Sequence, residues 1–439
     1  MRITTICLRG WRPGLAAILL LAFLASGCGA PRGDAEDDGS WASTTTREGN
    51  VTTVVNESGS VWGGDAELVE EASIGVELGD DAYMLGYVSS VLVTDDRIFV
   101  GDRQVPVVRV YDLEGRYLRD LGAQGQGPGE YTRPGFMVAA PGSRILVMAP
   151  AAGRINVYGP GDDDVDTWPL GSNMTCCVHP MQLDRDGVLW VEAMLSEEAT
   201  GRRRRGVMPH DASGPIGEPM LVPDYDYERW TFSAGGRELG AVPLSPAVIW
   251  NVYSEGGIVA GASDRYRFEI LRPDGRRTIV EKSWEPVTLT SAEADHWRRV
   301  MDDQVRRLGA SSGQDITWDG RLPATKPAFS RIQVAASGEI WVARENPAIT
   351  VPDCEPAEAY DPALSYAFHP NGYQPGGACF IISSTIDVFG AGGRFLGSVH
   401  AQQLHPYSFI RDDTWVTPVE SADGTIMVKR YRLVLPGAQ

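Results

Sequence analysis

Short apolar runs separated by polar turns recur from residue 91 to the C-terminal end, and they come as two kinds of hairpin. The first kind reads "VLVTDDRIFVGD" from 91, "FMVAAPGSRILVMA" from 136, "MQLDRDGVLWVEA" from 181, "WNVYSEGGIVAGA" from 250, "IQVAASGEIWVAR" from 332 and "FIRDDTWVTPV" from 409. The second kind follows each of the first five, as in "VRVYDLEGRYLRDLG" from 108 and "FEILRPDGRRTIVEK" from 268. Asp-Gly, Gly-Gly and Ser-Gly at the turns accept the positive φ that tight hairpins require. Two hairpins make four strands, and a four-stranded unit repeated every ~40 to 50 residues is the signature of a propeller blade. Six units are visible, but the sixth runs out of chain after "TIMVKRYRLVL". The segment "AELVEEASIGVEL" at 66–78 supplies its missing fourth strand. The pattern thus predicts an all-β, six-bladed propeller closed by an N-terminal strand, which leaves no open sheet edge.

One helix interrupts the strands between the fourth and fifth units. In "TSAEADHWRRVMDDQVRRLG", Thr290 and Glu293 form a capping box, while Trp297, Val300, Met301, Val305 and Leu308 share one face. The spacing predicts that the helix ends at Gly309 and covers one face of the disc, with a lid as the alternative. The fifth unit carries a long insertion at 345–385, and the outer hairpin of the third is degenerate.

The stretch "LGAQGQGPGEYTRPGFMVAA", 121–140, gathers four glycines around Glu130 and has the look of a phosphate-binding loop. Such loops must open a helix, whose N-terminal N–H groups hold the anion, whereas this one leads through two prolines into a strand. It reads instead as the connection between the first two blades. After "VRVYDLEGRYLRD" it resembles the blade junction of NHL-type propellers, and "LPATKPAFSRIQVAASGEIWVARE" at 322–345 resembles the fifth blade of bacterial six-bladed propeller lipoproteins, a TolB-like and NHL-repeat-like group. The resemblance covers roughly 51–436 and implies the fold, with little about function.

The N-terminus adds an address. Three arginines, the apolar run "GLAAILLLAFLA" and "LASGC" resemble a lipoprotein signal, which implies cleavage before Cys28 and lipidation of its thiol; a plain secretory signal is the alternative. The expected organisation is a signal peptide at 1–27, a lipid-anchored flexible linker at 28–58 and the propeller at 59–439. Gly29 after Cys28 points to the outer membrane of a double-membraned bacterium, facing the periplasm or the cell surface. Without residues 1–27 the chain keeps 36 basic and 58 acidic residues, a net charge of about −22. That charge argues against nucleic acid as a partner. The basic run Arg202–Arg205 reads as a solvated loop.

Of six cysteines, four remain after Cys7 and Cys28 are set aside. Cys354 and Cys379 bracket the long insertion and are expected to pair in an oxidising compartment. Three pairings remain formally open, with a vicinal bridge at Cys176 and Cys177 or two free thiols as the choices for the adjacent pair.

Catalytic motifs fail in context. "GASSG" at 309–313 follows a helix rather than a strand, so Ser311 is not a nucleophile elbow, and "DRDG" at 184–187 continues into apolar residues where a calcium loop needs oxygens. A better constellation precedes the inner strands, where Pro134, Pro180, Pro246, Pro327 and Pro406 follow Arg133, His179, Ser245, Lys326 and His405. If these five enter the channel from one face, with His179 opposite His405, they form a positive or neutral mouth in an acidic body. Binding there is expected to strengthen as pH falls through the histidine range near ~6.5.

The leading expectation is an exported, non-catalytic, monomeric lipoprotein that binds a small anionic ligand or a protein partner at the channel face, with no cofactor. The alternative is a metal-dependent propeller enzyme similar in architecture to lactonases or amidating lyases, for which only His179 and His405 of six histidines are placed near the axis. A structural scaffold is the third class.

Overall fold

The computed structural model describes residues 41–160, 164–174, 178–196, 201–355, 366–369, 372–421 and 423–437. The leader, Cys28, Cys176 and Cys177 lie outside the described residues.

Six antiparallel sheets follow one another along the chain, and their inner strands are Val88–Val93, Met137–Ala140, Gln182–Leu183, Val248–Val252, Arg331–Val334 and Phe409–Arg411. The third blade is the weak one: its outer edge consists only of Gly214–Pro215 and Met220–Leu221 beside Arg203–Asp211. The last blade is completed by Glu67–Ile74, which pairs antiparallel with Ile426–Val434 and closes the ring.

Each blade interface has its own apolar core, and strand alternation explains how one blade serves two interfaces. In the first blade Leu92 and Phe99 pack with Met137 and Val147 of the second, whereas their neighbours Val91, Ile98 and Val100 pack with Val416 and Val428 of the last. Blades two and three meet through Ile155 and Leu189, three and four through Trp190 and Val252, four and five through Phe268 and Phe329, and five and six through Trp341 and Trp415.

The N-terminal segment does more than close the ring. The linker expected to run to residue 58 stops short, because Trp41–Glu48 and Val51–Gly59 form a hairpin whose second strand pairs in parallel with Arg277–Lys282, making blade four six-stranded. The β-branched Thr and Val of these segments, read as tether, suit strands at a sheet edge. From there the chain crosses the edge of blade five, where Val61, Trp62 and Ala66 donate N–H groups to Phe395, Leu396 and Ser398 carbonyls. Asn56 ties the two blades: its Oδ1 accepts from the Phe395 N–H at 2.9 Å, and its Nδ2 donates to the Gly393 and Glu281 carbonyls.

The helix spans Ser291–Ser312 with the expected Thr290/Glu293 capping box. It ends one turn later than expected, at Gly313 in the left-handed region, because Gly309 sits in helical conformation and its carbonyl accepts the closing N–H. The start of the helix meets the entry and insertion of blade five, with Glu293 beside Lys326 and His296 edge-on to Phe380. Met301 and Val305 pack on a separate three-stranded sheet through Phe232, Ala234 and Ile316. Ser311 lies in its last turn, donating to the Leu308 carbonyl.

The glycine run is a closed structural loop. Ala123–Gln124 pairs in parallel with Glu130–Tyr131, and the Glu130 carboxylate accepts the Gly127 N–H at 2.7 Å. The protein's own carboxylate occupies the nest.

Candidate functional site

Where the inner strands begin, a cavity of about 170 Å³ opens between blades three, four and five, lined by His179, Arg205, Trp250, Asn251, Arg331 and Gln333 among others. A second cavity of about 250 Å³ occupies the channel between inner strands of blades one, two, three, five and six. Pro180 and Gln333 line both.

Arg331 opens the inner strand of blade five. Alternation along "RIQV" sends Ile332 and Val334 into the interface core and places Arg331 and Gln333 together on the other side. Burial pushes the Arg331 guanidinium below its ordinary value, and the neighbouring groups that act on it are the phenols Tyr373 and Tyr407. Among the described residues no carboxylate acts on it. Tyr373 belongs to the blade-five insertion, and its hydroxyl donates to Glu345 at 3.3 Å. The Cys354–Cys379 disulfide, with Cα atoms 5.5 Å apart, closes this insertion as expected.

Opposite, His179 is held rather than free. Its ring stacks on Trp250 with centroids 3.9 Å apart, and Nδ1 lies 3.2 Å from the buried carboxylate of Glu192. The His179 N–H donates to the same carboxylate oxygen, and Arg205 approaches the other at 3.9 Å. A single buried acid therefore sits beneath one histidine and one arginine, and the cavity keeps a surplus of positive charge through Arg331.

The five residues expected at the mouth do not gather there. His179 lines the cavity. His405 stands beside it: Pro406 is part of the lining, the His405 ring packs on Tyr407, and its Nδ1 accepts the Tyr407 N–H at 3.2 Å. Burial, with the Arg331 charge adding to it, pushes this imidazole down to about 4, so it carries no charge in the range near ~6.5 where a histidine switch was expected. Lys326 is buried away from the channel, 2.7 Å from Glu293 of the helix, 3.6 Å from Glu345, and donating to the Asn346 carbonyl at 2.8 Å. Its proline precedes the inner strand by four residues rather than the two or three of the other blades, which shifts the position out of register. The Ser245 hydroxyl oxygen accepts the Trp230 N–H at 3.0 Å, and Arg133 is exposed; neither lines a channel cavity.

Arg331, Gln333, Glu192 and Arg205 were missed. The period-two alternation of "RIQV" is the signal that would have found the first two. Arg205 was read as part of a solvated loop, whereas Arg203–Asp211 is a strand that brings it over Glu192. Among the described residues no three His, Cys, Asp or Glu side chains gather as a metal ligand set. The "DRDG" segment is a turn, with Asp184 Oδ1 accepting the N–H groups of Asp186 and Val188.

The chain is a six-bladed β-propeller. Residues 78–209 match the model of a family, DUF5128, described as a 6-bladed beta-propeller. Among solved structures it is similar to a DUF4221-family member from Bacteroides vulgatus (11% identity, 84% of this chain and 98% of that chain, TM-score 0.47). It is also similar to a putative exported protein from Bacteroides fragilis (11%, 84% and 95%, TM-score 0.43) and to virginiamycin B lyase from Staphylococcus aureus (11%, 82% and 99%, TM-score 0.34). No curated protein matches the chain.

Proposed function

We propose that the channel mouth binds a small ligand through an anionic group, with Arg331 as its anchor. The observation that carries this reading is a partly buried guanidinium, open to a cavity, with no acid to neutralise it among the described residues. Burying an unpaired charge is costly, and a carboxylate or phosphate from a ligand offsets that cost through charge-assisted, often bidentate, hydrogen bonds. Trp250 and His179 wall one side, and the insertion bearing Tyr373 stands on another. A metal-dependent activity finds no ligand set in the described residues to support it.

The chain is further proposed to be exported and tethered at a membrane through a lipid on Cys28, which leaves the propeller to work as a tethered binding module.

Titration of acetate and of inorganic phosphate, followed by calorimetry, tests the anion site. Binding to the native chain is expected, weaker at high salt, and Arg331→Ala should lower it about tenfold or more, since one charge-assisted hydrogen bond is worth ~1.5 to 3 kcal/mol. Arg133→Ala should leave it unchanged. Equal binding by the Arg331→Ala chain overturns the reading.

A further inference from the structure

The channel behind the mouth is lined by amides and hydroxyls, and this bears on the rest of the ligand. Gln333 donates its Nε2 hydrogen to the His405 carbonyl at 2.7 Å, and Gln182 donates its own to the Val334 carbonyl at 3.4 Å. Each amide is thereby fixed, and no described donor reaches either Oε1. Ser408 donates its hydroxyl hydrogen to Thr417 at 2.8 Å, and Thr417 passes its own to the Pro418 carbonyl. At the mouth, Ser330 donates to the Ala343 carbonyl at 3.4 Å. The hydroxyls give their hydrogens to the protein, while each amide keeps its Oε1 lone pairs and one N–H. The wall therefore offers more acceptors than donors, of the kind that hydroxyls meet with both their hydrogen and their oxygen, and the mouth offers a cation.

We infer that the ligand is a small polyhydroxylated carboxylic acid, its carboxylate on Arg331 and its hydroxyls donating to Gln333, Gln182 and Ser408. This rests on the anion-binding reading above. Arg331 and Gln333 stand two residues apart on one side of the same strand, so a head group on the first brings a hydroxyl on the adjacent carbons to the second. Hydroxyls fit better than a ligand ammonium, because Arg331 and Arg205 both face the cavity and repel a second cation. An alkyl acid of the same length displaces water from the amide oxygens without replacing its hydrogen bonds, and sites built to hydrogen-bond a hydroxyl discriminate against analogues lacking it on that ground.

The test compares three probes on the full chain by calorimetry: gluconate, hexanoate and the neutral polyol sorbitol. Gluconate is expected to bind about tenfold or more tightly than hexanoate, and sorbitol weakly or not at all. Gln333→Leu and, separately, Gln182→Leu should each bring gluconate toward the hexanoate level while leaving hexanoate unchanged, with thermal melting confirming that each variant folds. Hexanoate binding as well as gluconate, and lost in Arg331→Ala, would overturn the hydroxyl inference while leaving the anion site standing. Sorbitol binding as well as gluconate, unaffected by Arg331→Ala, would overturn both.

Discussion

The ammonium of Lys326 lies 2.7 Å from the Glu293 carboxylate, and both side chains are fully buried. The pair joins the first turn of the helix to the segment entering blade five, with Glu345 adding a second carboxylate at 3.6 Å. Burial raises the Glu345 carboxyl above its ordinary value while the Lys326 charge opposes the rise. Lys326→Met should therefore strand two buried acids and destabilise the fold by ~3 to 5 kcal/mol, whereas Arg133→Ala, exposed, should stay within ~0.5 kcal/mol. Denaturant titration of the two variants checks the contrast. Anion binding by the surviving folded Lys326→Met chain should match the native one, since this lysine is not in the channel.

Two buried histidines set an acid limit. Burial, with Arg299 adding to it, pushes His296 down to about 4, its ring packed edge-on to Phe380 and its Nε2 unpartnered; His405 is likewise pushed down to about 4. Both titrate near ~6.5 in the unfolded chain, so the unfolded state binds more protons between these values. Their contribution is fully present above pH ~6.5 and is lost as pH falls toward about 4, of order 3 kcal/mol each. Stability measured across this window should decline, and His296→Leu should flatten the decline.

The N-terminal strap divides the leader region from the working fold. Removing residues 1–40 should leave thermal stability unchanged, while removing 1–80 should expose the edge of Ile426–Val434 and promote aggregation. Asn56→Ala, which loses bonds to Phe395, Gly393 and Glu281 across two blades, should cost ~2 to 4 kcal/mol. A 1–80 deletion as soluble and heat-stable as the intact chain would refute ring closure.

Two glycines of almost equal φ separate backbone strain from crowding. Gly142 (φ +78) has nothing within 4 Å of an added Cβ, while Gly122 (φ +77) is hemmed in by the Gly129 carbonyl, Tyr131 and Tyr158. Gly142→Ala should cost ~1 kcal/mol and Gly122→Ala at least ~1 to 3 kcal/mol more, read as the difference between their denaturant midpoints.

The disulfide closes a segment with a sequence separation of 25 residues, for which loop entropy gives ~3 to 4 kcal/mol. Non-reducing peptide mapping should recover Cys354 linked to Cys379. Replacing both by Ser should loosen the insertion that carries Tyr373, raising its proteolytic cleavage more than that of the blades.

Local pattern was enough for what repeats. The apolar alternation of "VLVTDDRIFVGD" and its five counterparts marked every inner hairpin, and the shortage of strands after residue 434 pointed to Glu67–Ile74, because a blade with an open edge must find a partner. The capping box of Thr290 and Glu293 was legible for the same reason: its partners are three residues apart. The site was not. Lys326 precedes a proline just as His179 does, yet two extra residues before Arg331 turn it away from the channel and toward Glu293, a contact across 33 positions. Whether an arginine is spent on a neighbour or left for a ligand depends on which acids the fold brings within reach. Arg205 met Glu192 across the next strand of its own blade and Arg331 met none among the described residues, a difference set by strand pairing and by which blades pack around the channel.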